Sequence, residues 1–258
     1  MSDTPPTARR FPWGELLALA LVLLLGAGLR LAWLGEAAQS PEFSHPLYDP
    51  QYNAYWAAAL VTGDWTPPEG MPDPEIRTTP YGRPPGYPFF LAGVYALFGV
   101  GDWPPRIVQL SLGLLNALLA WLLARRLFGP GAAFWTALFM AGYWVFPYYE
   151  TQLTYPAVVV LLVLLLMHAA AAWAARPRTG LGLALGLPLG LFALFRPNGL
   201  LFLPALLLWM WGAARRRGLL RRWLPAAALL ALGLLAVTAP VFVRNYRVAR
   251  DFVFLSSY

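Results

Sequence analysis

Pro85-Gly86-Tyr87-Pro88-Phe89-Phe90-Leu91-Ala92-Gly93-Val94-Tyr95-Ala96-Leu97-Phe98-Gly99 decides how this chain is threaded. The run is apolar, yet it is short and bounded by glycine, below the roughly 18–20 residues that cross a bilayer as helix. If it crosses, every arginine cluster downstream changes sides. If it lies along the surface, Arg9/Arg10, Arg125/Arg126, Arg176/Arg178 and Arg215/Arg216/Arg217/Arg221/Arg222 all face one compartment. Those clusters hold 11 of the 19 basic residues. Arginine gathers on the cytoplasmic side of membrane proteins, so the second threading is expected.

The rest of the composition agrees with a membrane setting. Of the 258 residues, 59% are hydrophobic and 12% charged. A soluble domain carries about twice that charge. All the basic residues are arginine, and the net charge is +7. In a soluble chain that charge would point to nucleic acid; here the arginines sit between apolar runs and read as topology signals. No cysteine is present, which excludes disulfides and thiolate metal sites. No small-residue cleavage site follows the first apolar run, so that span is expected to be retained.

Crossings are predicted at about 13–34, 106–124, 131–148, 153–175, 181–195, 199–213 and 223–241. The fold class is therefore all-α: a polytopic membrane protein of about seven transmembrane helices. Two juxtamembrane helices, Pro50–Thr62 and Pro85–Gly99, are expected in the first outer loop, 35–105, which holds seven of the 12 acids between Glu36 and Glu75. The segments 181–195 and 199–213 are only about 22 Å long as helices. They are either short crossings or a hairpin dipping in from the cytoplasm.

This threading puts five features on the outer side: Asp49, Arg83, Glu150, Arg196 and the Arg244–Arg250 cluster. Asp49 before Pro50 fits a helix N-cap with proline at the first helical position. It also fits a carboxylate aimed into a cavity as a general base. Arg83 reads as an exposed loop arginine or as a phosphate contact, since guanidinium is a forked, always-charged donor array. Glu150 reads as an interfacial anchor or as a substrate-orienting carboxylate. With Asp49 it could offer hard oxygen ligands to a divalent cation. Arg196, before Pro197-Asn198-Gly199, reads as a helix C-cap and turn, or as an arginine at membrane depth, which is functional by default. Arg244, Arg247 and Arg250 on an outer face require an anionic partner or another topology. His168 reads as a packed or snorkelling histidine, and Glu15 and Arg30 as interfacial. The chain has no glycine-rich phosphate loop ending in Lys-Ser/Thr, no His/Cys zinc spacing and no Gly-x-Ser-x-Gly turn. A bound phosphate would have to be held by arginine.

In this order the features resemble the GT-C class of polyprenyl-phosphate-sugar-dependent glycosyltransferases. The branch is that of the protein O-mannosyltransferases, the lipid A aminoarabinose transferase and the rhizobial lipopolysaccharide core transferases. The matching stretches are Asp49–Trp56, Arg83-Pro84-Pro85-Gly86-Tyr87-Pro88, Phe128-Gly129 after Arg125-Arg126, Tyr149-Glu150, Arg196-Pro197-Asn198 and Pro240–Tyr246, with the tail through Ser256-Ser257. They run across nearly the whole chain. The chain departs from the pattern at Pro50 and Tyr155, where many relatives carry an acid.

The resemblance implies a seven-helix module with two juxtamembrane helices, in a cytoplasmic membrane of bacterial type. It implies inverting transfer from a polyprenyl-phosphate sugar to a hydroxyl of a lipid, glycan or protein acceptor. Asp49 would be the base, and Arg83, Arg196 and Arg244 would lie near the donor phosphate. Relatives continue well beyond such a module, and Asp251–Ser257 neither caps a helix nor closes a loop, so the sequence is expected to be a shortened one. A non-catalytic lipid-phosphate binder or flippase, or an inactive fragment, are the alternatives.

Overall fold

A computed structural model describes residues 12–256. Arg9, Arg10 and Ser257 lie outside the described residues. Within them the regular elements are helices: α1 (Trp13–Ala37), α2 (Tyr48–Thr62), α3 (Gly86–Phe98), α4 (Trp103–Phe128), α5 (Pro130–Gly142), α6 (Val145–Thr151), α7 (Pro156–Ala175), α8 (Leu181–Phe195), α9 (Phe202–Arg216) and α10 (Trp223–Ala249). A 3₁₀ turn, Pro197–Leu201, leads into α9. Long apolar runs become helices because lipid offers no partner to an open backbone polar group. Among the described residues, five helical segments are long and apolar enough to span a bilayer: α1, α4, α7, Pro197–Arg216 and Leu220–Ala249. The expected crossings at 131–148 and 181–195 correspond to shorter helices. α1 turns Leu17, Leu21, Leu24 and Leu31 outward, an apolar surface of the kind lipid covers.

The expected span 131–148 is broken. Tyr143 takes an extended conformation after α5, and the seven-residue α6 turns back toward α1. That break carries Glu150 to Arg30. Their side chains form a forked pair, Nε–Oε2 at 2.7 Å and Nη2–Oε1 at 2.8 Å. Arg30 is therefore buried, at 1% exposure, rather than interfacial as its place in the sequence suggests. Gly113 of α4 makes the room: a Cβ there would overlap the Glu150 carboxylate.

α8 and α10 run parallel in close contact. Gly182, Gly186 and Gly190, spaced four apart on one face, meet Ala226, Leu230 and Leu234 at the same spacing. Small residues let helix backbones approach closely, and dispersion and weak polar contacts then hold the pair where lipid offers no hydrophobic drive. Gly86 at the start of α3 meets the end of α8 in the same manner. A Cβ there would lie 2.7 Å from the backbone of Leu194 and Phe195.

The two ends of the bundle differ in chemistry. At one end Arg125 Nε pairs with Glu15 at 2.5 Å, Arg126 donates to the Ala171 carbonyl and Arg222 to the Pro177 carbonyl. The other end carries α2, α3 and the loops around Asp49, Arg83 and Arg196.

Candidate functional site

At that second end Asp49 and Arg83 form an ion pair. Asp49 does not serve as the N-cap expected of it. Leu47 holds that position, Asp49 falls inside the first turn, and no side chain caps the helix. The Asp49 carboxylate is paired with Arg83 instead. Tyr48, just before it, sits at φ 55°, a left-handed conformation unusual for a bulky residue. The Arg83 guanidinium also lies over the Tyr52 ring, 4.4 Å from its centroid. Burial pushes the Tyr52 phenol up to about 12, against the lowering pull of Arg83 and Arg244. The ring under Arg83 is therefore neutral at ordinary pH.

A cavity of about 380 Å³ opens beside this pair, walled by Asp49, Asn53, Arg83, Thr154, Tyr155, Arg196 and Asn198, with Tyr87 and Phe195 also contributing. Arg196 follows the last residue of α8, and its N–H still bonds back to the Phe192 carbonyl. The helix-end reading thus holds, and the side chain borders the cavity as well. Its guanidinium lies over the Tyr155 ring at 4.5 Å. The buried hydroxyl of Thr154 has no hydrogen-bond partner among the described residues.

The floor is held by polar side chains that sequence reasoning passed over. Asn53 Nδ2 donates to the Leu153 carbonyl at 2.9 Å, tying α2 to the loop that carries Thr154 and Tyr155. Gln109 Nε2 donates to the Glu150 and Gln152 carbonyls, both at 2.8 Å, and Gln109 Oε1 accepts from the Tyr87 hydroxyl at 2.9 Å. Arg106 Nε donates to the Thr151 carbonyl at 2.9 Å. Arg106 and Gln109 sit in the first turns of a span. Polar residues inside an apolar helix were the available signal for them.

Two of the expected site residues share this end but not the cavity wall. Glu150 points to Arg30, so Asp49 and Glu150 do not meet as a pair of cation ligands. Among the described residues no three His, Cys, Asp or Glu side chains group together. Arg244 donates to the Pro80 carbonyl at 2.9 Å and to Asn245 Oδ1 at 3.0 Å, with its guanidinium over Trp56 and Phe89. It thereby anchors the loop that presents Arg83. His168 bonds the Leu119 carbonyl at 2.9 Å, in keeping with a packed histidine.

The cavity thus brings together one carboxylate and two guanidiniums. That set can hold an oxyanion and accept a proton beside it. Residues 82–243 match the model of a family described as dolichyl-phosphate-mannose-protein mannosyltransferase. The matched stretch includes Arg83, Tyr155 and Arg196; Asp49 precedes it and Arg244 follows it. No curated protein and no solved structure matches the chain.

Proposed function

The chain belongs to the dolichyl-phosphate-mannose-protein mannosyltransferase family, membrane glycosyltransferases of the GT-C type, and on that premise we propose that it moves a sugar from a polyprenyl phosphate to an acceptor hydroxyl on the extracytoplasmic side, with inversion. The observation that carries this reading is the shared cavity of Asp49, Arg83 and Arg196. The arginine-rich end of the bundle lies opposite that cavity, and the positive-inside rule assigns that end to the cytoplasm.

The donor phosphate competes with Asp49 for Arg83 and is met by Arg196. With Arg83 drawn onto phosphate, the Asp49 carboxylate is free to accept a proton. The acceptor oxygen attacks the anomeric carbon and forms the new glycosidic bond. Its proton passes to Asp49, and the bond from the anomeric carbon to the phosphate oxygen breaks. One displacement inverts the configuration. The electron pair leaves with the polyprenyl phosphate, whose added charge the two guanidiniums stabilise.

Asp49→Asn keeps the shape and removes the base. In the full-length protein, reconstituted with a polyprenyl-phosphate sugar, it should lower transfer by about 10²- to 10⁴-fold and leave polyprenyl-phosphate binding in place. Undiminished turnover would remove Asp49 from the mechanism. Binding with no transfer by the unaltered protein would favour a non-catalytic lipid-phosphate carrier.

A further inference from the structure

From the end of α6 toward α7, four consecutive carbonyls are each held by a side chain. Gln109 takes those of Glu150 and Gln152, Arg106 that of Thr151 and Asn53 that of Leu153, all at 2.8–2.9 Å. Beyond the loop, Asn116 Nδ2 holds the Ala157 carbonyl at 2.9 Å. Side chains thus satisfy and fix a stretch of backbone that neither helix ladder reaches. The residue this clamp delivers to the cavity is Thr154.

Thr154 departs from the pattern of its fellow threonines. Thr62, Thr151 and Thr238 each satisfy the hydroxyl with the carbonyl four residues back. For Thr154 that carbonyl is Glu150's, and Gln109 already donates to it. Nor does Thr154 cap α7, which starts without a side-chain cap. Its hydroxyl oxygen is buried in the wall of the cavity with no partner among the described residues. A buried hydroxyl left so is a standing cost. Turning it about χ1 toward a ligand breaks no bond.

We propose that the Thr154 hydroxyl is a sugar-recognition contact, which pairs with a ring hydroxyl of the donor and sets which sugar is accepted. The assignment rests on the sugar-donor reading above. In that reading Arg83 and Arg196 meet the phosphate and Asp49 meets the acceptor's proton. Thr154 is uncharged, and its hydroxyl both donates and accepts, as a sugar hydroxyl does. It adjoins Tyr155, whose ring lies under the Arg196 guanidinium. It therefore stands beside the phosphate end of the donor, where the sugar is joined. The clamp sets its position before the donor arrives. A site built to hydrogen-bond a hydroxyl turns away a substrate that lacks it.

Thr154→Val keeps the branched shape and removes the hydroxyl. In the full-length protein, binding is measured to bare polyprenyl phosphate and to polyprenyl phosphates carrying mannose, glucose or arabinose. The unaltered protein should bind one sugar-bearing lipid more tightly than the bare one. Thr154→Val should weaken that binding roughly 2- to 10-fold and leave bare polyprenyl phosphate unchanged. It should unfold at the same temperature or higher, since no bond inside the protein is lost. Thr154→Ser should restore the preference. A deoxy donor lacking the matched hydroxyl should bind the unaltered protein and Thr154→Val equally. Equal losses for bare and sugar-bearing lipid would make Thr154 a phosphate contact. No loss would leave it a wall residue, and a lower unfolding temperature would make its role structural. Each of these overturns the proposal, as does an unaltered protein that prefers none of the three sugars. A sugar-selective loss in a protein that transfers nothing keeps the Thr154 contact and rejects the transferase reading. Transfer with a loss blind to sugar does the reverse.

Discussion

Glu150 and Arg30 lie 120 residues apart and bury both charges. A buried charge left without its partner is far costlier than the pair is stabilising, by about 3–5 kcal/mol. Glu150→Gln should lower unfolding stability in detergent by roughly that amount, and Glu150→Leu with Arg30→Met should restore much of it. A Glu150→Gln protein that kept full stability but lost transfer would return Glu150 to a direct role with substrate. Arg244 makes the same point from the other direction. Its contacts with Pro80 and Asn245 place it one step behind Arg83, so under the proposed function it would reach phosphate only through the loop it holds. Arg244→Ala and Arg83→Ala should therefore be non-additive: the double variant should bind polyprenyl phosphate no worse than the weaker single variant. Two independent phosphate contacts would instead multiply their losses. Neither relation was legible in the sequence. A polar residue in an apolar helix can be recognised as needing a partner, but nothing local to Arg30 or Arg244 says which partner it has.

At the scale of elements, the parallel α8–α10 pair sets the site. α8 ends at Arg196's cavity and the last two turns of α10 carry Arg244 and its loop contact, so the register between them bears on both. That register rests on Gly182, Gly186 and Gly190. A methyl at Gly186 would overlap the Leu230 carbonyl, a backbone atom that cannot rotate away. Gly186→Ala should cost about 1–3 kcal/mol, the usual range for overpacking. Gly28, in the interior of α1 with nothing within 4 Å of a Cβ, is the control. Gly28→Ala should be neutral or slightly stabilising, because alanine is the better helix former. Thermal unfolding of the two variants in one detergent separates these outcomes. Equal behaviour would mean that the helices are not held by close backbone approach. The bounds of α8 and the course of α4 and α10 were readable from apolar run length alone, because a lipid-facing helix needs little else. The break at Tyr143 was not. It lies within an apolar run, and the Arg30–Glu150 pair that accompanies the turn joins residues 120 apart.

For the whole molecule, arginine counting sorts residues by end of the bundle and says nothing of lateral position. This is why Asp49, Arg83, Arg196, Glu150 and Arg244 were all expected on one side, while only the first three share a cavity. Lateral position depends on which helix faces which, and that emerges only from packing. The threading itself turns on α3, whose 13 residues are too few to cross a bilayer unaided. The chain contains no cysteine, so single cysteines report cleanly. Glu69→Cys before α3, Gly101→Cys after it and Asn198→Cys at the cavity should all react with a membrane-impermeant maleimide from the outer face of intact cells. Arg216→Cys, in the last turn of α9, should react only after permeabilisation. Glu69→Cys and Gly101→Cys in different compartments would make α3 a crossing and reverse every later segment. Asn198→Cys would then part from the Asp49 loop, and no single cavity could present a carboxylate and two guanidiniums to one phosphate.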